Sequence, residues 1–252
     1  MAPSSAPSVR TGGNVRSDTD VWFLPGFGHS QDCFRQAFQE PIAADVRLLT
    51  FDLPGLGESP ARPAGLTVLD CAEIWRRLIL IEGSSRKAVL VAHSVAGIIA
   101  TETVRMLDRP PALTVSVEGN LTAADAYYSG QASRYDDCIT FHRALLGSIG
   151  ELVTRGEVPV DYLQSLQSAD PNTLWTLGRS VVPYAEPGSD FLALPGPKIY
   201  YWDERSTTPQ SRDFLARSNL RQRRFTGAGH WPMLTRPAEF YAALRADIMA
   251  AA

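Results

Sequence analysis

One serine stands where its hydroxyl could act as a nucleophile. Ser94 lies between the apolar run 88–92 and a helical pattern, so it occupies a sharp turn from a predicted strand to a helix. Such a turn projects the hydroxyl above the sheet edge, and it needs small residues because strand and helix approach closely. Ala92 and Gly97 supply them, although the usual G-x-S-x-G pattern has glycine at the first of these places. The alternative is a serine that only caps the helix.

A histidine near the C-terminus could serve this serine as a general base. His230 lies in the segment GAGHWP (227–232), directly after the predicted strand 220–225. The glycines allow a loop that returns the imidazole over the sheet edge. A general base must come within about 2.6–3.2 Å of the hydroxyl whose proton it takes, and such a loop can achieve this. The alternative is a loop histidine with structural hydrogen bonds alone.

Short apolar runs alternate with helical patterns along most of the chain. The predicted strands are 21–24, 46–51, 88–92, 113–117, 198–202 and 220–225, and the predicted helices are 67–81, 95–107 and 237–250. Continuously apolar strands between helices are typical of a parallel sheet that is covered on both faces. The sequence therefore predicts an α/β fold with Ser94 at the carboxyl edge of its sheet.

Two segments depart from this alternation. Residues 121–194 have helical patterns interrupted by glycine and proline, without a convincing strand, which predicts a helical cap inserted into an α/β core of residues 21–120 and 195–252. Residues 1–20 are rich in Ser, Pro, Gly and Thr, and we expect a flexible arm there. This arm lacks the apolar region of a secretory signal, so a cytoplasmic location is expected.

Composition excludes several classes of function. The 252 residues carry 24 Lys and Arg against 27 Asp and Glu, so no nucleic-acid partner is expected. No apolar run reaches the roughly 18 residues of a membrane span. The three cysteines are widely separated, which indicates neither a zinc site nor a disulfide scaffold, and we expect no metal. Gly26-Phe27-Gly28 lacks the third glycine of a dinucleotide loop, so no cofactor is expected. No oligomeric state is indicated.

Four motifs together resemble the α/β-hydrolase superfamily, in its capped, lipase-like serine branch. In chain order they are LPGFGH (24–29), similar to the oxyanion loop; DLPGLGES (52–59), similar to the D-x-x-G-x-G-x-S loop; AHSVAG (92–97), similar to the nucleophile elbow; and GAGHWP (227–232), similar to the histidine loop. The resemblance runs from 21 to 249 apart from the cap. It implies the α/β-hydrolase fold, with two strands before Val21 that we expect to be short or missing.

The resemblance also implies site residues. The oxyanion donors would be the backbone amides of Phe27 and Val95. The carboxylate that orients His230 would be Glu118, at the end of the strand before the cap, with Asp203 as the alternative. A third possibility is a Ser–His dyad in which Glu118 only anchors the cap hinge. Substrate-binding side chains are predicted at His29, His93, Tyr127, Tyr128 and Trp231.

The reaction expected from these residues is hydrolysis of a carboxylic ester, thioester or lactone through an acyl-enzyme. Serine at the elbow argues against haloalkane dehalogenases and epoxide hydrolases, whose relatives have aspartate there. The substrate is expected to be a small molecule with an apolar or aromatic group. Two alternatives remain open: a C–C bond hydrolase or non-hydrolytic lyase of the same fold, and a ligand-binding pseudo-hydrolase without turnover.

Overall fold

The computed structural model describes residues 6–83 and 86–251. Within these ranges the strands are β1 Val9–Gly13, β2 Thr19–Leu24, β3 Arg47–Phe51, β4 Lys87–His93, β5 Leu113–Val117, β6 Lys198–Trp202 and β7 Gln222–Arg224. The α-helices are α1 Val68–Gly83, α2 Ala96–Arg105, α3 Cys138–Thr154, α4 Val160–Ser168, α5 Pro171–Val181, α6 Pro187–Leu192, α7 Pro209–Arg217, α8 Pro232–Thr235 and α9 Pro237–Ala251. Short 3-10 helices cover Gln31–Phe38, Pro41–Ala44, Ala123–Asp125 and Ser129–Arg134.

The seven strands form one sheet in the order β1-β3-β2-β4-β5-β6-β7. Strand β1 runs antiparallel to β3, and every other pair is parallel. Every residue of β2, β3 and β5 is buried, as expected for strands that helices cover on both faces. The prediction of a mostly parallel α/β sheet is therefore confirmed.

The N-terminal segment differs from the expected flexible arm. Val9–Gly13 form β1, whose register on β3 runs from Val9 opposite Phe51 to Gly13 opposite Arg47, and β2 begins at Thr19. The prediction of an arm is wrong for these residues; residues 1–5 of it lie outside the described ranges. An edge strand is held by backbone hydrogen bonds, so a polar, glycine-rich sequence can form one. The described residues thus contain one short strand before β2.

The segment between β5 and β6, residues 121–194, contains helices α3 to α6 and no strand; we call it the helical insertion. It packs on the loops at the carboxyl edge of the sheet. The Asp170 N–H donates to the Gly55 carbonyl at 2.8 Å, and a Cβ on Gly55 would lie 2.3 Å from Thr173 Oγ1. This glycine, with φ of +85°, therefore lets helix α5 approach the loop after β3. No helix in the described ranges is both long and apolar enough to cross a membrane.

Candidate active site

Ser94 lies in a strained turn between β4 and α2. Its φ is +56°, its N–H donates to the Val117 carbonyl at 2.9 Å, and its carbonyl accepts from the Gly97 N–H at 2.8 Å. The residue that caps α2 is Val95, without a side-chain hydrogen bond, so the alternative of a capping serine is wrong. A non-glycine residue in this conformation costs on the order of 1–3 kcal/mol and persists where its surroundings enforce it.

Small residues around Ser94 let three chain segments meet. Ala92 is fully buried, and a Cβ on Gly97 would lie 3.0 Å from Ser116 Oγ on β5. A Cβ on Gly26 would lie 2.9 Å from the Cβ of Ser94 and 2.8 Å from His93 Nδ1. The loop after β2 can therefore approach the serine only because residue 26 is glycine.

The predicted oxyanion donors lie on either side of this contact. Phe27 follows Gly26, and Val95 follows Ser94. Among the described residues, neither backbone N–H donates a hydrogen bond within the chain. Both side chains are buried, with 4% and 2% of their surfaces exposed. Two unused N–H groups beside a serine hydroxyl are what a developing oxyanion requires.

Two hydrogen bonds hold the backbone of the loop that carries His230. The Gly229 N–H donates to Asp203 Oδ2 at 2.6 Å. The His230 carbonyl accepts from His93 Nε2 at 2.7 Å. His93 is predicted to bind substrate, and it also lines the cavity described below, but its ring nitrogen holds the histidine loop.

The carboxylate of Glu118 lies next to the His230 ring. Glu118 Oε2 is 3.5 Å from His230 Nδ1, and the hydroxyl of Tyr127 is 3.3 Å from the same nitrogen. Asp203, the alternative acid, is buried, but its carboxylate binds the backbone N–H groups of Gly229 and Arg205. The structure therefore brings Glu118 to the imidazole and Asp203 to the backbone of the histidine loop.

Glu118 resembles Ser94 in its backbone. It follows β5 directly, and its φ is +49°. In the part of the chain that the structure describes, these two are the only non-glycine residues with positive φ. Glu118 Oε1 accepts a hydrogen bond from the Asp203 N–H and lies 3.4 Å from the Thr207 hydroxyl.

Burial shifts both ionisable partners toward their neutral forms. It raises the pKa of Glu118 to about 8, although hydrogen bonds from Asp203 N–H, Ser206 and Thr207 act in the opposite direction. It lowers the pKa of His230 to about 4, although the Asp125 carboxylate acts to raise it. Neutral imidazole is the form that can accept a proton from a serine.

Ser94 and His230 line the same narrow cavity, which we call the chamber. All five predicted substrate-binding side chains also line it, and so does Phe27. Three polar residues of the helical insertion were not predicted to contribute: Asp125, Ser129 and Tyr162. Of these, only Tyr162 could have been suspected from the sequence, because it is one of several aromatic residues in the insertion and aromatic side chains often line apolar pockets.

The chamber is small. The volume open to the centre of a water-sized molecule is about 20 Å³, which is room for roughly one water.

His29 belongs to the chamber wall and is held by the helical insertion. Its Nδ1 lies 3.3 Å from the hydroxyl of Ser165, and its ring centre is 5.4 Å from that of Tyr162. Burial lowers the pKa of His29 to about 3, so the side chain is neutral. Its Nε2 is buried without a hydrogen-bond partner among the described residues.

A second, much larger space adjoins the chamber. This distal groove has a volume of about 730 Å³ and shares Tyr127, Tyr128, His230 and Trp231 with the chamber. Within residues 6–83 and 86–251, no group of three or more His, Cys, Asp and Glu side chains could hold a metal ion.

Comparisons with known proteins agree with the fold. The model of the family described as "Alpha/beta hydrolase family" matches residues 23–244. No curated protein sequence matches the chain significantly. The fold is similar to that of a thermophilic esterase from Thermogutta terrifontis, with a TM-score of 0.77 and 17% identity over 97% of this chain and 93% of that one.

Two further solved structures have a similar fold. MenH from S. aureus has a TM-score of 0.78 and 15% identity, over 96% of this chain and 98% of that one. The structure from a study of carboxylesterases of the thaumarchaeon Nitrososphaera gargenis has a TM-score of 0.73 and 15% identity, over 100% and 97%. Because the family model spans most of its length and its sheet is mostly parallel, as predicted, the chain belongs to the alpha/beta hydrolase family.

Proposed function

We propose that the protein is a serine hydrolase that cleaves a carboxylic ester, or a related thioester or lactone, through an acyl-enzyme. The observation that carries the proposal is the placement of backbone strain. Ser94 and Glu118 combine left-handed backbone with positions at the ends of the neighbouring strands β4 and β5, and the His230 ring contacts Glu118 and shares the chamber with Ser94. Strain of this kind clusters at active sites, where it holds reacting groups in place.

The proposed reaction has two half-reactions, and His230 takes and returns one proton in each. Ser94 Oγ attacks the ester carbonyl while His230 Nε2 takes its proton, and the amides of Phe27 and Val95 stabilise the oxyanion. The carbonyl re-forms, the C–O bond to the alcohol breaks, and His230 returns the proton to the leaving oxygen. Water then attacks the acyl carbonyl while His230 takes its proton. The bond between the acyl carbon and Ser94 Oγ breaks, His230 returns the proton to that oxygen, and the carboxylic acid leaves.

The surrounding residues act on His230. Ionised Glu118 would stabilise the imidazolium that forms in each step. Asp203 and His93 would keep the histidine loop in place through Gly229 N–H and the His230 carbonyl. Two of the structures similar in fold come from studies of esterases by name, which supports ester chemistry for this site.

A fluorophosphonate probe tests the proposal because it reacts with an activated serine. We expect it to label the protein, and the label to disappear in Ser94→Ala but persist in Ser129→Ala, the other serine that lines the chamber. Hydrolysis of p-nitrophenyl acetate should follow the same pattern. Absence of both labelling and ester turnover would contradict the proposal and favour a ligand-binding protein. Turnover of a vinylogous diketone but of no ester would favour C–C bond cleavage.

A further inference from the structure

The space around Ser94 is divided very unequally. The volume open to the centre of a water-sized molecule is about 20 Å³ in the chamber and about 730 Å³ in the distal groove. The two meet at His230 and at the aromatic side chains Tyr127, Tyr128 and Trp231, which line both. A substrate that reaches Ser94 can therefore place only a small group in the chamber. Of the larger spaces that share residues with the chamber, the groove shares the most, so we assign the larger part of the substrate to it.

The chemistry of the proposed reaction indicates whether the acyl half or the alcohol half of an ester occupies the chamber. The protonated His230 must give its proton to the leaving alcohol oxygen, so that oxygen lies on the side of the imidazole. His230 and Trp231 line both spaces, but residues 227–229 of the histidine loop line the groove alone, so the groove extends further along this loop than the chamber does. The alcohol half therefore occupies the groove, and the acyl half occupies the chamber.

The walls of the groove indicate what kind of alcohol fits. Leu152, Val158 and Pro159 give it an apolar side. Besides the histidine and the tyrosines, its ionisable side chains are Glu157 and Arg205. The Glu157 carboxylate is already paired with Arg155 at 2.7 Å. No ion pair joins the Arg205 guanidinium to a carboxylate in the described part of the chain, so a cation is left for the ligand.

The position of Arg205 relative to the catalytic histidine is fixed by one carboxylate. Asp203 Oδ1 accepts from the Arg205 N–H at 3.2 Å, and Asp203 Oδ2 accepts from the Gly229 N–H at 2.6 Å. Asp203 itself is almost fully buried, with 1% of its surface exposed. The backbone of Arg205 is therefore tied to the histidine loop, and its exposed side chain starts from a fixed point relative to His230.

We propose that the substrate is a short-chain acyl ester whose alcohol half has an apolar body and ends in a carboxylate or a similar anion bound by Arg205. The inference rests on the proposed function, since it uses His230 as the acid that protonates the leaving oxygen. Arg205 is a specificity residue, remote from the reacting atoms. Its contact forms equally in the bound substrate and in the transition state, so it acts on KM rather than on kcat.

The matched substrates are 6-acetoxyhexanoate and 6-acetoxyhexanamide, which have the same shape and differ in charge, together with their eight- and ten-carbon homologues. All give the same acetyl-enzyme, so deacylation is common to them. At the best length we expect kcat/KM to be about two- to fivefold higher for the carboxylate, as an ion pair with the exposed Arg205 provides. Arg205→Gln should remove this preference by raising KM for the carboxylate alone. Arg109→Gln, an exposed arginine before β5 at the opposite sheet edge, should leave it unchanged.

The placement of the acyl half in the chamber is tested separately, by varying the length of the acyl chain. Acetyl and octanoyl esters of the same hydroxy acid should differ at least about tenfold in kcat/KM in favour of acetyl, because the chamber has room for a small group only. Equal rates for both acyl chains would overturn the assignment of the acyl half to the chamber.

The outcomes separate this inference from the proposed function. Ser94-dependent hydrolysis without any preference for the carboxylate, or a preference that survives Arg205→Gln, refutes the anion subsite and leaves the serine hydrolase intact. Failure of every ester together with failure of the probe to label Ser94 overturns both.

Discussion

The buried carboxyl group of Glu118 should make the stability of the protein depend on pH in a way that a single substitution removes. Its pKa rises from an ordinary value of 4.5 to about 8 on folding because it is buried. Between these values the folded protein binds one more proton than the unfolded chain, so the free energy of unfolding falls as pH rises. Each pH unit in that interval costs about 1.4 kcal/mol, so ionised Glu118 costs on the order of 5 kcal/mol at most above pH 8.

Glu118→Gln keeps the shape of the side chain and cannot ionise. Below pH 4.5 the variant and the native protein should be about equally stable, because both then carry a neutral group at this place. The variant should become progressively more stable than the native protein as pH rises through about 8. His230 is present in both proteins, so its own titration largely cancels in the difference.

Urea unfolding followed by circular dichroism at pH 5, 6, 7, 8 and 9 measures this difference. Glu151→Gln, at an exposed position on α3, controls for the loss of one carboxylate. If the stabilities of Glu118→Gln and the native protein follow parallel curves from pH 5 to 9, Glu118 does not carry a raised pKa and the reasoning is wrong. The same variant should be far less active, because it cannot supply the negative charge.

Three further predictions concern the proposed reaction. The value of kcat/KM should rise with pH through about 8, as Glu118 ionises, and pH profiles of Glu118→Gln should lack that rise. Asp203→Ala should lower kcat about tenfold by loosening the histidine loop, whereas Glu118→Ala should lower it about a thousandfold; steady-state kinetics that show the reverse order would make Asp203 the acid. Gly26→Ala forces a Cβ to within 2.9 Å of the Ser94 Cβ and should reduce kcat about a hundredfold by displacing an oxyanion donor. Gly147→Ala, where a Cβ meets nothing within 4 Å, should be fully active, and equal activity of the two variants would contradict this assignment.

The strands that the sequence predicts best are those buried on both faces. Strands β5 and β6 have the predicted bounds, 113–117 and 198–202, because continuous apolar runs between turn residues leave few alternatives. The edge strands were predicted least well. Strand β1 was missed, and β7 is shorter than predicted, because an edge strand depends on backbone pairing with its neighbour more than on its own side chains.

Some site residues could likewise be predicted from the sequence and others could not. Ser94 and His230 could be identified because each lies in a turn whose small residues serve a geometric need. The chamber residues Asp125 and Ser129 could not, because the path of the insertion after β5 is set by tertiary contacts: the Asp125 carboxylate binds Ser211 on α7 and the Thr208 that caps it. The hydrogen bonds by which Asp203 links Arg205 to the histidine loop likewise depend on tertiary structure and could not be predicted from the sequence.

The left-handed backbone at Ser94 and Glu118 has a consequence for how such a protein changes over generations. Glycine adopts this conformation without a steric penalty, so replacing Ser94 by glycine relieves strain while it removes the proposed nucleophile. At Glu118 the same replacement also leaves the buried Asp203 N–H without its acceptor, which offsets the relief of strain. Random mutagenesis scored only for soluble expression should accordingly enrich glycine at position 94 but not at position 118, whereas selection for ester hydrolysis should eliminate it at both.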